Sequence, residues 1–324
     1  MNNPKLTVLM PAYNAQQYIA EAIKSVLTQS FNNFELLIIN DGSTDKTLAI
    51  INTFDDKRIR IINQENKGIA AALNTGLSAA NTIYIARFDA DDICYPDRLQ
   101  VQYDFMVANP DYSVIGSAAD YVDVAKNYVF THLPLAFSNS EIRQLDFRSC
   151  PFIHSSVFYK REIILGYGGY NEYAYTFEDH LLWVNLLRKE KVCNLERSLI
   201  KVRLNPESIT IDEKWRTPQF RKIKYKALQE FTISRANGLK LLAIIKSQHA
   251  VRIKEGAYYA LLGKKYLWNN YQPKKARENL IKSLVISPYH FKNFLLFILS
   301  FLPKKMLHLS YHTFKNNVNP NSSR

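Results

Sequence analysis

Three aspartates follow a short apolar segment, and their spacing is typical of a divalent-cation site. Residues 83–88 carry the β-branched and aromatic side chains of a buried strand, and Asp89, Asp91 and Asp92 come directly after them. Clustered carboxylates cost free energy unless a cation offsets their repulsion. If the backbone stays extended, Asp89 and Asp91 point the same way. An oxygen-only ligand set of this kind suits Mg²⁺ or Mn²⁺.

Such a cation usually keeps only one or two protein carboxylates, and phosphate oxygens and water fill its other positions. A metal-bridged diphosphate is therefore the first hypothesis for this segment. The alternative is a solvated turn, in which Asp97 after Pro96 caps the next helix.

Four strand-like segments alternate with helix-like segments before residue 92. The predicted strands are 6–10, 34–39, 58–62 and 83–88, and the predicted helices begin near residue 15, after a Ser43 N-cap, and at residue 69. This alternation predicts an α/β fold with a parallel sheet. Further strands are expected within 113–135 and at 152–159, and a helix is expected to begin at Glu178-Asp179.

Each of the four strands ends in a polar turn, and ligands of open α/β sheets bind at that edge. The turns are 11–14, 40–45, 65–68 and 88–92. We therefore expect one site to contain Tyr13, Asp41, Lys67, Asp89 and Asp91. The first turn lacks G-x-G-x-x-G, which disfavours a dinucleotide site, and the chain has no Walker loop.

Basic residues are concentrated in the last third of the 324-residue chain, whose formal net charge is +13. Residues 214–324 hold 22 Lys and Arg but three Asp and Glu, whereas residues 1–213 hold 20 and 26. This asymmetry predicts a catalytic body, 1–213, and a basic helical extension, 214–324, that meets phosphate-rich material. No nucleic-acid-binding motif is present, so nucleic acid is not the expected partner.

The extension contains the apolar segment 294–302, bounded by Lys292 and by Pro303-Lys304-Lys305. It is shorter than the ~20 residues that span a bilayer, and its lysines favour a helix lying on an anionic membrane. The alternative is a core helix of a basic helical domain. The three cysteines form no zinc or disulfide pattern, and the N-terminus lacks the features of a signal peptide. We expect a cytoplasmic protein, peripheral on the inner face of the cell membrane.

Over residues 5–210 the sequence resembles the family 2 glycosyltransferases. The resemblance is carried by P-A-Y-N at 11–14, N-D-G-S-T-D at 40–45, N-K-G at 66–68, R-F-D-A-D-D at 87–92 with P-D-R-L at 96–99, and E-D at 178–179. Each motif is weak alone, but five in order at strand ends and helix starts are specific. The resemblance implies the GT-A fold, a Rossmann-like, mostly parallel mixed sheet flanked by helices, here with a C-terminal α-helical extension.

The resemblance also implies roles for individual residues. Tyr13 and Asp41 resemble contacts to a nucleotide base, Asp89 resembles the ribose contact, and Asp91 resembles the ligand of a Mn²⁺ or Mg²⁺ ion on the diphosphate. Asp179 resembles the general base, although an acid in a first helical turn is partly explained by the helix dipole. The remaining implied contacts are Pro11 and Lys67 for the nucleotide-sugar, and His154 and Glu178 for the acceptor.

One position departs from the pattern, because many relatives have R-x-H where this chain has Arg203-Leu204-Asn205. An amide oxygen is the weaker ligand for Mn²⁺, and His180 is the alternative ligand. Residues 256–288 resemble a helical hairpin of the tetratricopeptide type, which must pack on other elements.

Together these features predict an inverting glycosyltransferase. It would move a hexose-type sugar from a nucleotide-diphospho-sugar, most simply a UDP-sugar, to a hydroxyl of a glycan or lipid-linked acceptor in envelope polysaccharide synthesis. One alternative is a catalytically degenerate, membrane-bound adaptor that binds nucleotide-sugars. Another is a D-x-D metal-dependent phosphatase, which normally carries its nucleophile after the first strand rather than the fourth.

Overall fold

The computed structural model describes residues 4–206, 216–247, 251–286 and 291–307. The chain divides into two compact units. The first comprises Met1–Asp120, Thr131–Arg203 and Thr217–Ala243, and the second comprises Tyr121–Phe130, Leu204–Arg216 and Ile244–Arg324. The boundary predicted after residue 213 falls in 207–215, outside the described residues.

Four parallel strands form one half of a mixed sheet, as the α/β pattern predicts. They are β1 (Leu6–Ala12), β2 (Phe34–Asp41), β3 (Ile59–Gln64) and β4 (Tyr84–Arg87), in the spatial order β3-β2-β1-β4. Leu6 pairs with Phe34 on one side and with Tyr84 on the other, so the strands end at a common edge. The predicted parallel sheet is confirmed for these strands.

The other half of the sheet continues beyond β4 through β8, β6, β9 and β5, and β7 pairs with β6. Its strands are β5 (Ile93–Cys94), β6 (Tyr112–Val122), β7 (Tyr128–His132), β8 (Phe158–Lys160) and β9 (Lys191–Arg203). β8 is antiparallel to both β4 and β6. The predicted mixed α/β sheet is therefore confirmed.

Helices flank the sheet, and several of them bury apolar residues in the core. They are α1 (Ile19–Leu27), α2 (Thr47–Ile51), α3 (Ile69–Ala79), α4 (Arg98–Ala108), α5 (Asn139–Arg143), α6 (Arg161–Gly166), α7 (Glu178–Leu186), α8 (Pro218–Glu230) and α9 (Arg235–Ser247). The alanine-rich α3 packs closely, since a Cβ on its Gly76 would lie 2.1 Å from a methyl group of Leu9. A core cluster of buried residues from β1, β2, α3 and α7 includes Leu9, Leu37, Leu73 and Trp183.

The second unit contains the C-terminal helices, which confirm the predicted helical extension. They are α10 (Val251–Trp268), α11 (Pro273–Ile286) and α12 (Phe291–Leu299). α10 and α11 form a hairpin, and Tyr258, Leu262 and Tyr266 pack with Phe130 in the core of this unit. Within the described ranges, no helix is long and apolar enough to cross a membrane.

Two local predictions were wrong. The 152–159 strand is instead a short 3₁₀ helix, His154–Ser156, followed by β8, because Ser156 donates through its hydroxyl to the carbonyl of Ile153 (2.8 Å) and closes a turn. Ser43 does not cap α2. Its hydroxyl accepts a hydrogen bond from the backbone N–H of Asn14 (3.1 Å), which joins two turns of the sheet edge.

Candidate active site

The turns after β1 and β2 are joined by reciprocal hydrogen bonds. Asn14 adopts a positive φ of 47°, a conformation that asparagine tolerates better than most residues. Its backbone N–H donates to Ser43, and its side-chain oxygen accepts from the backbone N–H of Thr44 (2.9 Å). Tyr13 projects from this edge with 51% of its surface exposed, while Pro11 is buried within β1. The exposed ring of Tyr13 is thus available to a planar ligand.

Asp41 joins the turns after β2 and β3. Its carboxylate accepts hydrogen bonds from the Gln64 side chain (2.7 Å) and from the backbone N–H groups of Lys67 (3.0 Å) and Gly68 (2.9 Å). The approach is close, because a Cβ on Gly42 would lie 2.6 Å from the nitrogen of Asn66. The side chain of Lys67 is exposed. A carboxylate offers about four acceptor positions, so Asp41 retains capacity for one further donor.

Asp89, Asp91 and Asp92 form the acidic cluster, in which one oxygen of each lies within 4.8 Å of the others. The backbone is not extended here, so the condition under which Asp89 and Asp91 would point the same way is not met. The segment turns, and the N–H of Asp92 approaches the carbonyl of Asp89 at 3.4 Å. The turn brings three carboxylates together, whereas an extended chain would have aligned only two.

The acidic cluster fits a hard divalent cation. Burial, and then the charges of Asp91 and Asp89, raise the pKa of Asp92 well above its usual value. Arg203 gives partial compensation, since its backbone N–H donates to Asp92 (2.9 Å) and its Nε donates to the carbonyl of Asp91 (3.0 Å). The donor atoms are all carboxylate oxygens, which are the ligands that Mg²⁺ and Mn²⁺ prefer.

His154, Glu178 and Asp179 form a second group, the base cluster, whose ligand-type atoms also lie within 4.8 Å of one another. The two carboxylates stand in the first turn of α7. Asp179 accepts a hydrogen bond from the backbone N–H of His180 (2.7 Å), and the sulfur of Cys150 lies 3.9 Å from its other oxygen. Burial, and then the charge of Asp179, raise the pKa of Glu178 to about 8.

Arg87 lies between the two clusters and interacts with both. It is 1% exposed, forms an ion pair with Asp89, and its charge acts on His154 and Glu178. Its buried Nε has no hydrogen-bond partner among the described residues. In addition, the backbone N–H of Asp89 donates to the hydroxyl of Ser155 (3.3 Å), which is the neighbour of His154 in the chain. The acidic cluster and the base cluster are therefore neighbours.

The sheet places the predicted site residues at one edge of the first unit. Pro11, Tyr13, Asp41 and Lys67 lie at the ends of β1, β2 and β3, and the acidic cluster follows β4. Asn205 belongs to the second unit. His180 directs its Nε2 to the carbonyl of Phe147 (3.0 Å) and is part of neither cluster.

Two residues of the site, Arg87 and Tyr170, were not predicted from the sequence. A signal existed for Arg87, because an arginine inside an apolar strand segment needs a buried acidic partner. Tyr170 follows two glycines and carries no comparable signal. Its hydroxyl lies 3.1 Å from Nε2 of His154.

Comparisons with known proteins assign the chain to a family. Residues 7–166 match glycosyl transferase family 2. EpsE of Bacillus subtilis, which carries a glycosyltransferase name, is 33% identical over 212 residues, covering 62% of this chain and 74% of EpsE. An uncharacterized glycosyltransferase of Rickettsia conorii is 34% identical over 210 residues, covering 63% of this chain but 34% of that protein's length. The chain belongs to glycosyl transferase family 2, and it spans about a third of the length of the Rickettsia relative.

A further relative has a name that specifies a polysaccharide. The amylovoran biosynthesis glycosyltransferase AmsE of Erwinia amylovora is 28% identical over 215 residues, covering 64% of this chain and 80% of AmsE.

Solved structures show the same fold at low identity. S. aureus TarS 1–349 in complex with UDP-GlcNAc aligns with a TM-score of 0.52 at 15% identity, covering 95% of this chain and 92% of that one. The mannosyltransferase PcManGT of Pyrobaculum calidifontis, in complex with GDP-Man and Mn²⁺, aligns with a TM-score of 0.54 at 18% identity, covering 90% and 89%. These likenesses confirm the predicted GT-A fold.

Proposed function

We propose that the protein transfers a hexose-type sugar from a nucleotide-diphospho-sugar to a hydroxyl group, with inversion at the anomeric carbon. The observation that carries this proposal is the adjacency of the acidic cluster and the base cluster at one sheet edge. The acidic cluster could hold the cation that a donor diphosphate requires, and the base cluster could supply the base that an acceptor hydroxyl requires. A UDP-sugar is the proposed donor, in keeping with the UDP-GlcNAc bound by TarS.

On the donor side, Tyr13 and Asp41 would contact the nucleotide base. Asp41 is well placed, because the hydrogen bonds from the 64–68 loop fix its carboxylate and leave room for a ring N–H. Pro11 and Lys67 line the same edge, and Asp89 would bind the ribose. Asp91 would hold Mn²⁺ or Mg²⁺, and Asp92 is a third oxygen donor in reach. A bound cation would stabilise the negative charge of the departing nucleoside diphosphate.

On the acceptor side, Asp179 would take the proton of the attacking hydroxyl. The oxygen then forms a bond to the anomeric carbon as the bond to the diphosphate breaks, and the nucleoside diphosphate leaves. Direct attack from the opposite face inverts the configuration. Glu178 and His154 flank Asp179 on this side. Burial of Glu178 favours its neutral form, so Asp179 is the stronger candidate for the base.

A thermal-shift panel tests the donor proposal. UDP-glucose, UDP-galactose, UDP-N-acetylglucosamine and GDP-mannose are each added with Mn²⁺, with Mg²⁺ or with EDTA. A ligand at about 100 times its Kd stabilises the native state by about 2.7 kcal/mol, which corresponds to a rise in Tm of about 5–10 °C. We expect such a rise for one UDP-sugar, with the metal present. If every donor leaves the melting curve of the ligand-free protein unchanged, donor binding is rejected. If a donor binds but no UDP is released, the adaptor alternative is favoured.

The acceptor is proposed to be a glycan or a lipid-linked precursor in envelope polysaccharide synthesis, in line with the amylovoran role in the name of AmsE. We also propose that the protein is peripheral on the inner face of the cell membrane. One face of α12 is exposed and apolar, with Phe291, Phe294 and Ile298 exposed by 76%, 49% and 50%. The opposite face is anchored by Asn293, which donates to Ser283 on α11 (3.0 Å).

Exposed lysines at 292, 304 and 305 accompany this apolar face, and this combination suits an anionic lipid surface. Co-sedimentation with vesicles of phosphatidylglycerol and phosphatidylcholine tests it. The double variant Phe294→Ser/Ile298→Ser should lose vesicle binding, whereas Val107→Ser, at a 53% exposed position on α4, should retain it. Full binding by the double variant would contradict the proposal, as would equal binding to pure phosphatidylcholine.

A further inference from the structure

The imidazole of His154 lies between a buried phenol and the candidate base. Its Nε2 is 3.1 Å from the hydroxyl of Tyr170, and its Nδ1 is 3.8 Å from Oδ2 of Asp179. Tyr170 is 1% exposed. Its backbone is held by Asn74, which accepts from the Tyr170 N–H (2.8 Å) and donates to the Tyr170 carbonyl (2.8 Å). The position of the phenol is therefore fixed independently of His154.

The electrostatics of the pocket select one form of this imidazole. Burial, and then the charge of Arg87, lower the pKa of His154 well below its usual value, so the ring is neutral near pH 7. A neutral imidazole carries one N–H. The carboxylate of Asp179 beside Nδ1 favours the tautomer with that proton on Nδ1. Nε2 is then the acceptor, and the Tyr170 hydroxyl donates to it.

We propose that Tyr170 and His154 form a fixed chain that orients the carboxylate of Asp179. His154 is then a positioning residue that acts through the base rather than a contact to the acceptor. At 3.8 Å the Nδ1–Oδ2 separation is longer than a hydrogen bond, so His154 presents an oriented N–H dipole to Oδ2. The backbone N–H of His180 holds the other oxygen at 2.7 Å.

This inference rests on the proposed role of Asp179, and it adds no step to the reaction. The proton of the attacking hydroxyl passes to Asp179 and remains there while the nucleoside diphosphate departs. No proton moves to His154 or Tyr170. Their contribution is to keep the carboxylate of Asp179 correctly oriented before the acceptor arrives, which is how pre-organised groups lower a barrier.

The first test is spectroscopic and needs no substrate. In protein carrying ¹⁵N-labelled histidine, the His154 signals are identified by their loss in His154→Gln. At pH 7 we expect a pyrrole-type Nδ1 and a pyridine-type Nε2. Tyr170→Phe should shift the population towards the Nε2–H tautomer, because the hydroxyl that stabilises the Nδ1–H form is lost. An Nε2–H tautomer or an imidazolium in the unmodified protein would overturn the assignment.

The second test uses water as the acceptor, since water makes no use of contacts that bind a sugar or lipid. UDP release is followed with the UDP-sugar that gives the largest thermal shift in the panel. His154→Gln and Tyr170→Phe should lower its rate about tenfold, because the carboxylate of Asp179 is no longer held in its productive orientation, with donor affinity unchanged. The matched control is Tyr167→Phe, whose hydroxyl bonds to Glu190 away from the base; its rate should equal that of the unmodified protein.

The outcomes separate this inference from the proposed function. If Asp179→Asn abolishes UDP release while His154→Gln and Tyr170→Phe leave it unchanged, the base stands and the positioning chain fails. If Asp179→Asn releases UDP at the normal rate, the proposed function itself fails. Thermal melts of all variants, with and without donor, confirm that any lost rate does not reflect unfolding.

Discussion

The acidic cluster and the base cluster are built from similar side chains, but their surroundings differ. In the acidic cluster, Asp89 pairs with Arg87 and has a side chain that is 30% exposed, and the three carboxylates lie on a turn in which only Asp92 is buried. In the base cluster, His154 packs against the rings of Tyr170 and Trp183, at centroid distances of 5.4 and 6.0 Å. The first cluster is partly neutralised by cations, and the second is enclosed by aromatic residues.

This difference shows how the environment separates the roles of similar acids. Each cluster contains one buried carboxyl with a raised pKa, Asp92 in the first and Glu178 in the second. In the acidic cluster the remaining carboxylates face an all-oxygen site that suits a cation. In the base cluster the neutral neighbours leave Asp179 as the charged acceptor of a proton. Pairs of titratable groups whose surroundings separate their pKa values are typical of acid–base catalysis.

Exchanging one carboxylate for an amide in each cluster gives the largest expected effect. Asp179→Asn should lower transfer about 10³-fold, because general base catalysis contributes about 10²–10⁴, while donor affinity is retained. Asp91→Asn should instead abolish the metal dependence of donor binding. Isothermal titration with UDP-sugar and Mn²⁺, alongside a UDP-release assay, measures both. If both variants show the same loss of donor affinity and the same loss of turnover, the two clusters do not have separate roles.

Removing the cation that the clusters share should have the next largest effect. Arg87→Met leaves the charge of Asp89, whose side chain is 30% exposed, without its partner, and should lower the free energy of unfolding by about 2–3 kcal/mol, less than the loss expected for a fully buried pair. Urea denaturation measures it. The double variant Arg87→Met/Asp89→Asn removes both charges and should recover most of the loss. If Arg87→Met alone is as stable as the unmodified protein, Arg87 does not hold the clusters together.

The smallest effect concerns the pH dependence of stability. The pKa of Glu178 rises in the folded state from an ordinary 4.5 to about 8. The stability contributed by its protonated form is therefore complete below pH 4.5 and is lost as the pH rises to about 8. Glu178→Gln keeps a neutral side chain at every pH, so its Tm should exceed that of the unmodified protein at pH 8 by at least about 3–5 °C, the rise expected for one pKa unit or about 1.4 kcal/mol. The difference should vanish near pH 4. An equal Tm difference at both pH values would refute the assignment.

Particular residues show how far the sequence determined the site. The order of strands and polar turns placed Asp41, Lys67, Asp89 and Asp91 at one edge, because parallel strands joined by right-handed crossovers end on the same side. The turned backbone after Asp89 was not predictable, since three aspartates and an alanine fit an extended chain as well. The 3₁₀ helix at His154 was missed for a similar reason: Ile153 and Val157 are β-branched, and the hydrogen bond that closes the turn comes from Ser156.

By itself, the sequence determined the α/β class, the family and the residue types of the two carboxylate groups, because hydrophobic periodicity and motif order are local properties of the chain. Tertiary structure alone decided which groups act on one another. The charge of Arg87 acts on His154 and Glu178, which are distant in sequence, and Tyr170 meets His154 across 16 residues. These contacts depend on the antiparallel addition of β8 to β4 and on the burial that follows, which no local pattern encodes. Burial in turn sets which acid is charged and which is neutral.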